Sequence, residues 1–416
     1  MPPSPERMTA RELRASASLA SIFALRMLGL FLILPVFVVH ARGMPGGSDA
    51  ALVGLALGMY ALTQAVLHLP LGIASDRFGR KPVIVAGLLM FAAGSFYAAG
   101  AQTVMDVMFG RALQGSGAIS AAVTAAIADQ TRDSQRTKAM AMVGGSIGLT
   151  FALAMVAAPV LYAHVGLSGI FDLTGVLALA GVLVALFVVP SGPAAATEAA
   201  AHARTDAPRP RLRDALFEPD LLRLNFGIAA LHAVQMATFT VLPGWLVDRA
   251  GLPLDDHWKV YLAVLLASFV AMLPAIVWGE RRGRMRTVFL GSVGVLLAVA
   301  LALAASPSGL VPLSLLLLGF FVAFNVLEAS LPSLVSRLAP PELKGTALGV
   351  YNTTQAIGLF AGGAVGGLLL SRWGGEAVFG ASAALLLLWF GIAARHRRWP
   401  VPRSAAAGGT AVSVGG

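Results

Sequence analysis

The stretch VLALAGVLVALFVVP, residues 176–190, is an apolar run without a charged side chain. Similar runs recur along the chain, for example at 31–40, so that 57% of the 416 residues are hydrophobic and 12% are charged. A soluble domain carries about 25% charged residues, and a membrane-spanning helix needs about 20 mostly apolar ones. The composition therefore excludes a soluble enzyme, a DNA-binding protein and a secreted disulfide scaffold. Because the runs are continuous rather than alternating, they predict an all-α integral membrane protein instead of an outer-membrane barrel.

Apolar segments separated by polar or Gly/Pro-containing breaks predict twelve membrane-spanning helices, called spans 1–12 in chain order. Their predicted ranges are 16–41, 51–75, 82–100, 104–130, 137–163, 168–190, 221–247, 257–279, 286–305, 310–336, 343–371 and 375–395. The stretch 191–220 is rich in Pro, Ala and Arg and lacks apolar periodicity, which is typical of a surface linker. It divides the chain into an N-terminal six-helix bundle, 16–190, and a C-terminal six-helix bundle, 221–395, flanked by the terminal segments 1–15 and 396–416.

Lys and Arg are unevenly distributed over the loops. If the N-terminus is cytoplasmic, the segments on that side carry 23 Lys and Arg, whereas the other side carries only Arg42, Arg249 and Arg372. Cytoplasmic loops of membrane proteins carry an excess of these residues. We therefore expect both termini and the linker to be cytoplasmic, and we attribute the net charge of +10 to membrane topology rather than to nucleic-acid binding.

The two predicted bundles show an internal repeat. With a shift of 204 residues, Pro70 and the loop residues 76–80 fall on Pro274 and 280–284, and with a shift of 206, Ala-Leu-Arg at 24–26 falls on Ala-Leu-His at 230–232. Each repeat holds an even number of spans, so the bundles run in parallel topology about an axis along the membrane normal. Two bundles related in this way leave a cavity between them.

The loop between spans 2 and 3 reads GIASDRFGRK, residues 72–81. Asp76 and Arg80 are four residues apart and therefore lie on one helix face. Gly79 permits a tight reversal before the next helix. Taken singly, Arg77, Arg80 or Lys81 could be a topology signal only, but Asp76 is not explained in that way because acidic residues contribute little to orientation.

This loop resembles the cytoplasmic motif of the major facilitator superfamily, and a degenerate copy, GERRGR at 279–284, lies at the corresponding place between spans 8 and 9. The segment RALQGSGA, residues 111–118 in span 4, resembles the second motif of that family. The segments LRMLG (25–29), LH (231–232) and FNVLEA (324–329) are most similar to the bacterial YajR-like branch among the drug:proton antiporter-like members. The resemblance covers residues 16–395, and the soluble C-terminal domain of that branch has no counterpart after residue 395.

The resemblance implies a twelve-helix fold of two pseudo-symmetric bundles that works by alternating access. It also implies that Asp76 and Arg80 form a charge cluster with Asp129, at the cytoplasmic end of span 4, and that this cluster stabilises the outward-facing state. The residues of this conformational motif are Gly72, Asp76, Arg77, Gly79, Arg80, Lys81 and Asp129.

Several polar residues fall inside apolar spans, where charged side chains are costly unless they are paired or face water. Counted from the span ends, Arg26, His232 and Glu328 lie near the bilayer middle, and Glu328 is the expected proton carrier. Such a layer suits a substrate and ion site between repeats, although each residue could instead belong to a permanently satisfied structural pair. The candidate cavity residues are Arg26, Arg111, Gln114, His232, Asn325, Glu328, Asn352 and Gln355.

Small residues recur at four-residue spacing in four spans, a pattern that lets helix backbones approach closely. They are Gly54 and Gly58 in span 2, Gly144 and Gly148 in span 5, Ala263, Ala267, Ala271 and Ala275 in span 8, and Gly358, Gly362 and Gly366 in span 11. In the superfamily fold these spans form the seam between the bundles. The resemblance therefore implies sliding interfaces, with static packing as the alternative.

These observations predict a secondary transporter of the bacterial inner membrane that exports small amphipathic compounds in exchange for protons. Its partners are then a small-molecule substrate, protons and the lipid bilayer, without nucleic acid, and the lack of an extra dimerisation span favours a monomer. The alternatives are an uptake symporter or facilitator and, from another class, a non-transporting membrane receptor or scaffold. The sequence has no metal-ligand spacing, phosphate-binding loop, nucleophile elbow or cysteine, so we expect no enzymatic activity, metal or cofactor.

Overall fold

The computed structural model describes residues 8–190, 218–339 and 344–395, and all regular structure within these ranges is helical. Residues 1–7, 191–217 and 396–416 lie outside the described residues, and the helix that follows the predicted linker begins at Pro219, two residues before the predicted start of span 7. The helices are Ala10–Phe31, Phe37–Ala41, Ala50–Phe78, Arg80–Ala99, Val104–Ser116, Ser120–Gln130, Asp133–Leu183, the π-helical turn Val184–Val188, Pro219–Asp248, the 3-10 turn Leu254–Asp256, His257–Arg281, Met285–Ala304, Leu310–Leu338 and Lys344–Ala394.

The described helices account for all twelve predicted spans. Nine of them are long and apolar enough to cross a membrane. Two of these nine are pairs of helices joined by a single non-helical glycine, and each pair contains two spans. The chain reverses at Gly166, between spans 5 and 6, and at Gly374, between spans 11 and 12. Span 4 is the twelfth, and it consists of two shorter helices separated by residues 117–119. The predicted fold, twelve helices in two six-helix bundles, is confirmed.

Several helices begin where local sequence rules require a beginning. The Thr9 side chain accepts a hydrogen bond from the Glu12 backbone and the Glu12 carboxylate accepts one from the Thr9 backbone, so the first helix begins at Ala10 rather than at residue 16. Thr103 and Asp106 form the same capping box at the start of span 4. These caps satisfy backbone N–H groups that the first turn of a helix leaves unpaired.

The internal repeat is visible in the backbone. Six of the seven glycines with positive φ among the described residues occur in pairs at nearly constant separation, namely Gly46 and Gly251, Gly79 and Gly283, and Gly166 and Gly374, whereas Gly309 has no counterpart. Each pair marks the same turn of the two bundles, and L-residues rarely adopt this backbone conformation. Three sharp turns between spans are therefore equivalent in both halves.

The backbones of the two halves approach most closely towards one end of the molecule. We call the end with the 76–82 loop and the 282–284 turn the basic end, and the end with Arg42 and Asp248 the opposite end. Towards the opposite end, spans 2 and 11 are in backbone contact: a Cβ at Gly363 would lie 2.6 Å from the Gly54 carbonyl oxygen, and a Cβ at Gly367 would lie 2.5 Å from the Ala50 carbonyl oxygen. Only glycine allows so close an approach, so this part of the seam is closed.

The glycines of span 11 form two rows with different partners. Gly363 and Gly367 face span 2 of the other half, whereas Cβ atoms at Gly358 and Gly362 would collide with the backbone of Ala229 and Ala233 in span 7 of the same half. The prediction that Gly358, Gly362 and Gly366 line the seam is therefore wrong, because their row faces inward to the C-terminal bundle. The seam uses the neighbouring row, offset by one residue.

The seam is open towards the basic end. Cβ atoms at Gly144, Gly145 and Gly148 of span 5 and at Gly349 of span 11 would meet no atom within 4 Å. Span 5 approaches the other half closer to the opposite end, where its Phe151 contacts Phe321 and Phe324 of span 10. The cavity between the halves therefore opens at the basic end and is closed at the opposite end.

Candidate functional site: an inter-bundle cavity and its two ends

The structure brings the charged residues of the 72–81 loop together with Asp129. The Arg80 guanidinium donates hydrogen bonds to the carboxylate of Asp76, to Ser75 Oγ at 2.8 Å and to Asp129 Oδ2 at 3.0 Å. Gly79, with φ of 93°, ends span 2 and turns the chain so that Arg80 begins the next helix. The three charges thus form one cluster within the N-terminal bundle, at the mouth of the cavity.

We expect Asp76→Asn to leave membrane abundance normal while lowering turnover at least about tenfold, the equivalent of one charge-assisted hydrogen bond. Abundance is spared because the Asp76 side chain is 67% exposed, and exposed ion pairs contribute about 0 to 1 kcal/mol to stability. Turnover is lowered if the cluster stabilises the state in which the cavity is closed at the basic end and the C-terminal bundle covers the cluster. The measurement is substrate flux per inserted protein. Arg77→Gln is the comparison within the same motif: Arg77 is exposed and its guanidinium lies beside the Phe78 ring rather than in the Asp76–Arg80–Asp129 cluster, so we expect a smaller loss of flux. Ordinary flux through Asp76→Asn would remove the cluster from the mechanism.

The polar centre of the C-terminal half is formed by His232, Glu328 and Gln355, from spans 7, 10 and 11. His232 is buried, and its Nδ1 lies 3.2 Å from the Ile228 carbonyl oxygen, which only accepts hydrogen bonds. Nδ1 therefore carries the proton of the neutral ring. Nε2 lies 2.7 Å from Gln355 Nε2, whose amide can donate to it, and 3.7 Å from Glu328 Oε2. A second proton on the ring would sit on Nε2, facing the carboxylate.

Glu328 connects this centre to the cavity. Its side chain is 35% exposed although it lies in the middle of span 10, while its Oε2 atom is buried and forms no hydrogen bond with the described residues. One part of the carboxylate therefore faces the open cavity and the other part faces His232. This arrangement leaves the carboxylate free to exchange a proton with the histidine or with water.

The other predicted cavity residues of this half differ in their surroundings. Asn325 is nearly buried and donates from Nδ2 to Ser268 Oγ at 3.0 Å, which joins span 10 to span 8. Asn352 is half-buried in span 11, one turn before Gln355. Asn325 therefore contributes to the packing of its own bundle, whereas Gln355 contributes to the centre around His232.

The predicted polar residues of the N-terminal half form a separate network. Arg111, fully buried, donates to the Gly29 carbonyl at 3.2 Å and to Gln114 Oε1 at 3.0 Å, and Gln114 donates to Ser95 Oγ at 2.7 Å. These bonds connect spans 4, 1 and 3. Only Nη1 of Arg111 makes these bonds; its Nε and Nη2 atoms are buried without a hydrogen-bond partner among the described residues, so the guanidinium is only partly satisfied within its own bundle.

Arg26 lies beside this network and next to the break in span 4. It is buried, donates to Ser120 Oγ at 3.1 Å, and places its guanidinium 5.5 Å from the centre of the Tyr60 ring. Arg111 approaches the same ring at 4.6 Å. Two buried cations therefore share one aromatic ring, and the polar layer expected at the midplane is divided into an arginine group in the N-terminal half and the His232 group in the C-terminal half.

An aromatic cluster that was not predicted from the sequence crosses the seam. Phe31 of span 1 and Phe151 of span 5 contact edge to face at 5.0 Å, and Phe151 stacks on Phe324 of span 10 at 6.2 Å. Phe324 also contacts the His232 ring at 5.7 Å. The cluster therefore closes the cavity on the side of Glu328 that faces the opposite end. Its signal in the sequence was the spacing of Phe321, Phe324 and Glu328, which places all three on one face of a helix.

A further contact between the halves joins spans 2 and 11 about three helical turns from their basic ends. His68 is buried, with Nε2 at 3.1 Å from the Gln64 side chain and Nδ1 at 3.5 Å from Thr353 Oγ1. Thr353 lies two residues before Gln355, so span 11 contacts a histidine of each half. The local sequence around His68 gave no signal for this contact, because it depends on the pairing of distant helices.

The opposite end is held by an ion pair that the sequence analysis did not predict. Arg42, between spans 1 and 2, forms two hydrogen bonds of 2.8 and 2.7 Å with the carboxylate of Asp248 at the end of span 7. These bonds raise the pKa of the Arg42 guanidinium above its ordinary value. A Cβ at Gly244 would lie 2.6 Å from Arg42 Nη2, so glycine at this position makes room for the guanidinium.

Comparison with known proteins agrees with this architecture. A family model described as the Major Facilitator Superfamily matches residues 16–363 and 257–412. The chain is 43% identical over 394 residues to the inner membrane transport protein YajR of Escherichia coli (strain K12), which covers 95% of this chain and 86% of the relative. It is 27% identical over 354 residues to the class B tetracycline resistance protein of Escherichia coli, which covers 82% of this chain and 86% of that protein.

Solved structures share the fold. A bacterial homologue of the human lysosomal transporter Spinster, in an inward-facing and occupied conformation, superposes with a TM-score of 0.74 at 14% identity, covering 95% of this chain and 100% of that chain. The family match, the identity to YajR and the twelve-helix architecture confirm the resemblance found in the sequence. The chain belongs to the Major Facilitator Superfamily, and it is a multi-pass membrane transporter rather than an enzyme.

Proposed function

We propose that the transporter exports small amphipathic compounds in exchange for protons, by rocking of its two halves about the seam. The observation that carries this proposal is the position of Glu328, whose side chain is 35% exposed beside the inter-bundle cavity and lies 3.7 Å from His232 Nε2. A carboxylate that faces both a cavity and a protonatable ring is able to take up a proton in one state and release it in another. Relatives named for tetracycline and multidrug resistance are consistent with export.

The proposed orientation follows from the charges. With the basic end in the cytoplasm of a bacterial inner membrane, as the positive-inside rule requires, the described conformation is open to the cytoplasm. A compound would then enter at the basic end and reach Glu328 on the basic-end side of the aromatic cluster. The phenylalanine rings suit an apolar body, and Glu328 with His232 suits a polar or charged end. We expect this unit to act as a monomer.

Transport by the purified protein in liposomes with an imposed pH gradient tests the proposal. Antiport moves a candidate amphipathic substrate against the proton flow. Substrate leaving the liposome should therefore acidify the liposome interior, with a fixed ratio of protons taken up to substrate released. Movement in the same direction as protons would instead identify a symporter, and flux without pH dependence would identify a facilitator. The compounds tested are first identified as binders by thermal shift. If the protein binds such compounds but transports none of them, it acts as a receptor.

The ion pair at the opposite end provides a prediction about the conformational equilibrium. Arg42→Gln should shift the population towards states open at that end by up to about fivefold, because an ion pair with half-exposed side chains contributes about 0.2 to 1 kcal/mol. The chain contains no cysteine, so two cysteines can be introduced, one on each side of the seam, and spin-labelled. The distance between the two labels then reports the separation of the halves. The charge exchange Arg42→Asp with Asp248→Arg should restore the original distance distribution. An unchanged distribution in Arg42→Gln would show that the pair does not hold the halves together.

A further inference from the structure

A groove of about 490 Å³ lies on the C-terminal half, between spans 8, 9 and 10. Pro274 and Trp278 line it from span 8, Gly291 and Val295 from span 9, and Val322 from span 10. Span 9 packs against other spans of its own half, so the groove is on the surface that faces away from the seam. It is therefore distinct from the inter-bundle cavity and open to the bilayer.

The walls of the groove are apolar. The Ser292 hydroxyl, which is among its lining groups, donates to the Val288 carbonyl at 2.9 Å and is therefore already satisfied. A Cβ at Gly291 would meet no atom within 4 Å, so the absence of a side chain there leaves free space along span 9. From Val288 to Val295 the groove follows the helix for about 10 Å. This shape and chemistry suit the first part of an acyl chain.

The mouth of the groove at the basic end is cationic. Arg281, Arg282 and Arg284 are exposed in the turn between spans 8 and 9. The Arg284 guanidinium lies 5.7 Å from the centre of the Trp278 indole, which itself lines the groove. The acid of this turn, Glu280, lies 4.0 Å from Arg337. The turn also precedes the N-terminus of the helix that begins at Met285, which favours an anion.

We propose that this groove binds an anionic phospholipid, with its phosphate on Arg284 and the neighbouring arginines and one acyl chain along Gly291 and Val295. Charge complementarity selects this occupant, because clusters of basic residues at the membrane surface recognise anionic head groups. The occupant is a lipid of the bilayer rather than the transported compound. The proposal concerns a different surface from the transport pathway and stands independently of the proposed function.

Thermal stability of the full chain in detergent, with added dioleoyl phosphatidylglycerol or dioleoyl phosphatidylcholine, tests the site. We expect phosphatidylglycerol to raise the melting temperature at least threefold more than phosphatidylcholine. Arg284→Gln should at least halve this difference, and Gly291→Leu, which fills the groove, should abolish it. Two control variants should keep it. Arg372→Gln removes an arginine that stacks on Trp373 at the opposite end, and Gly380→Leu adds the same side chain at another open glycine.

Equal shifts with both lipids in the unmodified protein would overturn the proposal, as would an equal loss of preference in Arg284→Gln and Arg372→Gln. Photolabelling provides a second measurement if Gly291→Leu does not fold. A phosphatidylglycerol with a photoreactive acyl chain should label peptides containing Trp278 or Val295 in preference to peptides of span 12. Uniform labelling of all lipid-facing spans would show ordinary bilayer contact instead. Displacement of the label by a transported compound would identify the groove as a substrate site and would also overturn the proposal.

Discussion

Glu328→Gln is expected to exchange substrate across the membrane at a rate close to that of the unmodified protein but to lose proton-driven accumulation. The amide keeps the shape of the protonated acid and cannot release a proton. A gradient of one pH unit is worth about 1.4 kcal/mol per proton, which supports up to about tenfold accumulation, and this ratio should fall to about one. The measurement is counterflow without a gradient beside net uptake with a gradient, in the same liposomes.

The matched control for this variant is His232→Gln. If the histidine only tunes the carboxylate, accumulation by His232→Gln should be reduced but still depend on pH, because Glu328 keeps its exposure to the cavity. Normal accumulation with an ordinary pH dependence in Glu328→Gln would show that another residue carries the proton. His232 would then be the next candidate, since its Nε2 lies 3.7 Å from the Glu328 carboxylate.

Gly363→Leu is the second variant with a large expected effect. The backbones of spans 2 and 11 touch at this position, so a leucine side chain has no space while the opposite end is closed. Overpacking of this kind costs about 1 to 3 kcal/mol, which would depopulate the closed arrangement roughly fivefold to more than a hundredfold. Transport should fall accordingly, while binding of a substrate by protein open at the opposite end is retained. Flux and binding affinity measured on the same preparation separate these effects.

Two neighbouring glycines provide the controls. Gly362→Leu is one residue away but collides with the backbone of Ala233 in span 7 of the same half, so we expect loss of folded protein rather than a change in rate alone. Gly144→Leu faces open space in span 5 and should fold normally. If Gly363→Leu and Gly362→Leu lost folded protein equally, the contact at Gly363 would be a static packing contact and not a moving interface.

The twelve spans and the two halves were predictable because each depends on local sequence. A run such as 176–190 is long and apolar regardless of its neighbours, and the glycine at position 79 ends a helix by its own backbone conformation. The contact of Arg80 with Asp76 is likewise local, since four residues separate them. The contact of Arg80 with Asp129 came from the family resemblance, and the structure places the two groups 3.0 Å apart.

The contacts between helices were less predictable. Four-residue spacing identified span 11 as rich in small residues, but it does not distinguish the row containing Gly362 from the row containing Gly363. The faces of a helix differ by 100° per residue, so an error of one residue assigns the wrong neighbour. In the same way, burial near the bilayer middle did not reveal that Asn325 bonds Ser268 of its own bundle. Such assignments depend on the relative rotation of packed helices.

The single-glycine turns at Gly166 and Gly374 have a mechanical consequence. With ψ values of −173° and 177°, these residues reverse the chain without any intervening loop. Spans 5 and 6, and likewise spans 11 and 12, are therefore stiff hairpins without slack at the opposite end. A tilt of span 5 must tilt span 6, and a displacement of span 11 must carry span 12 with it. If spans 5 and 11 shift during transport, spans 6 and 12 are therefore expected to shift with them.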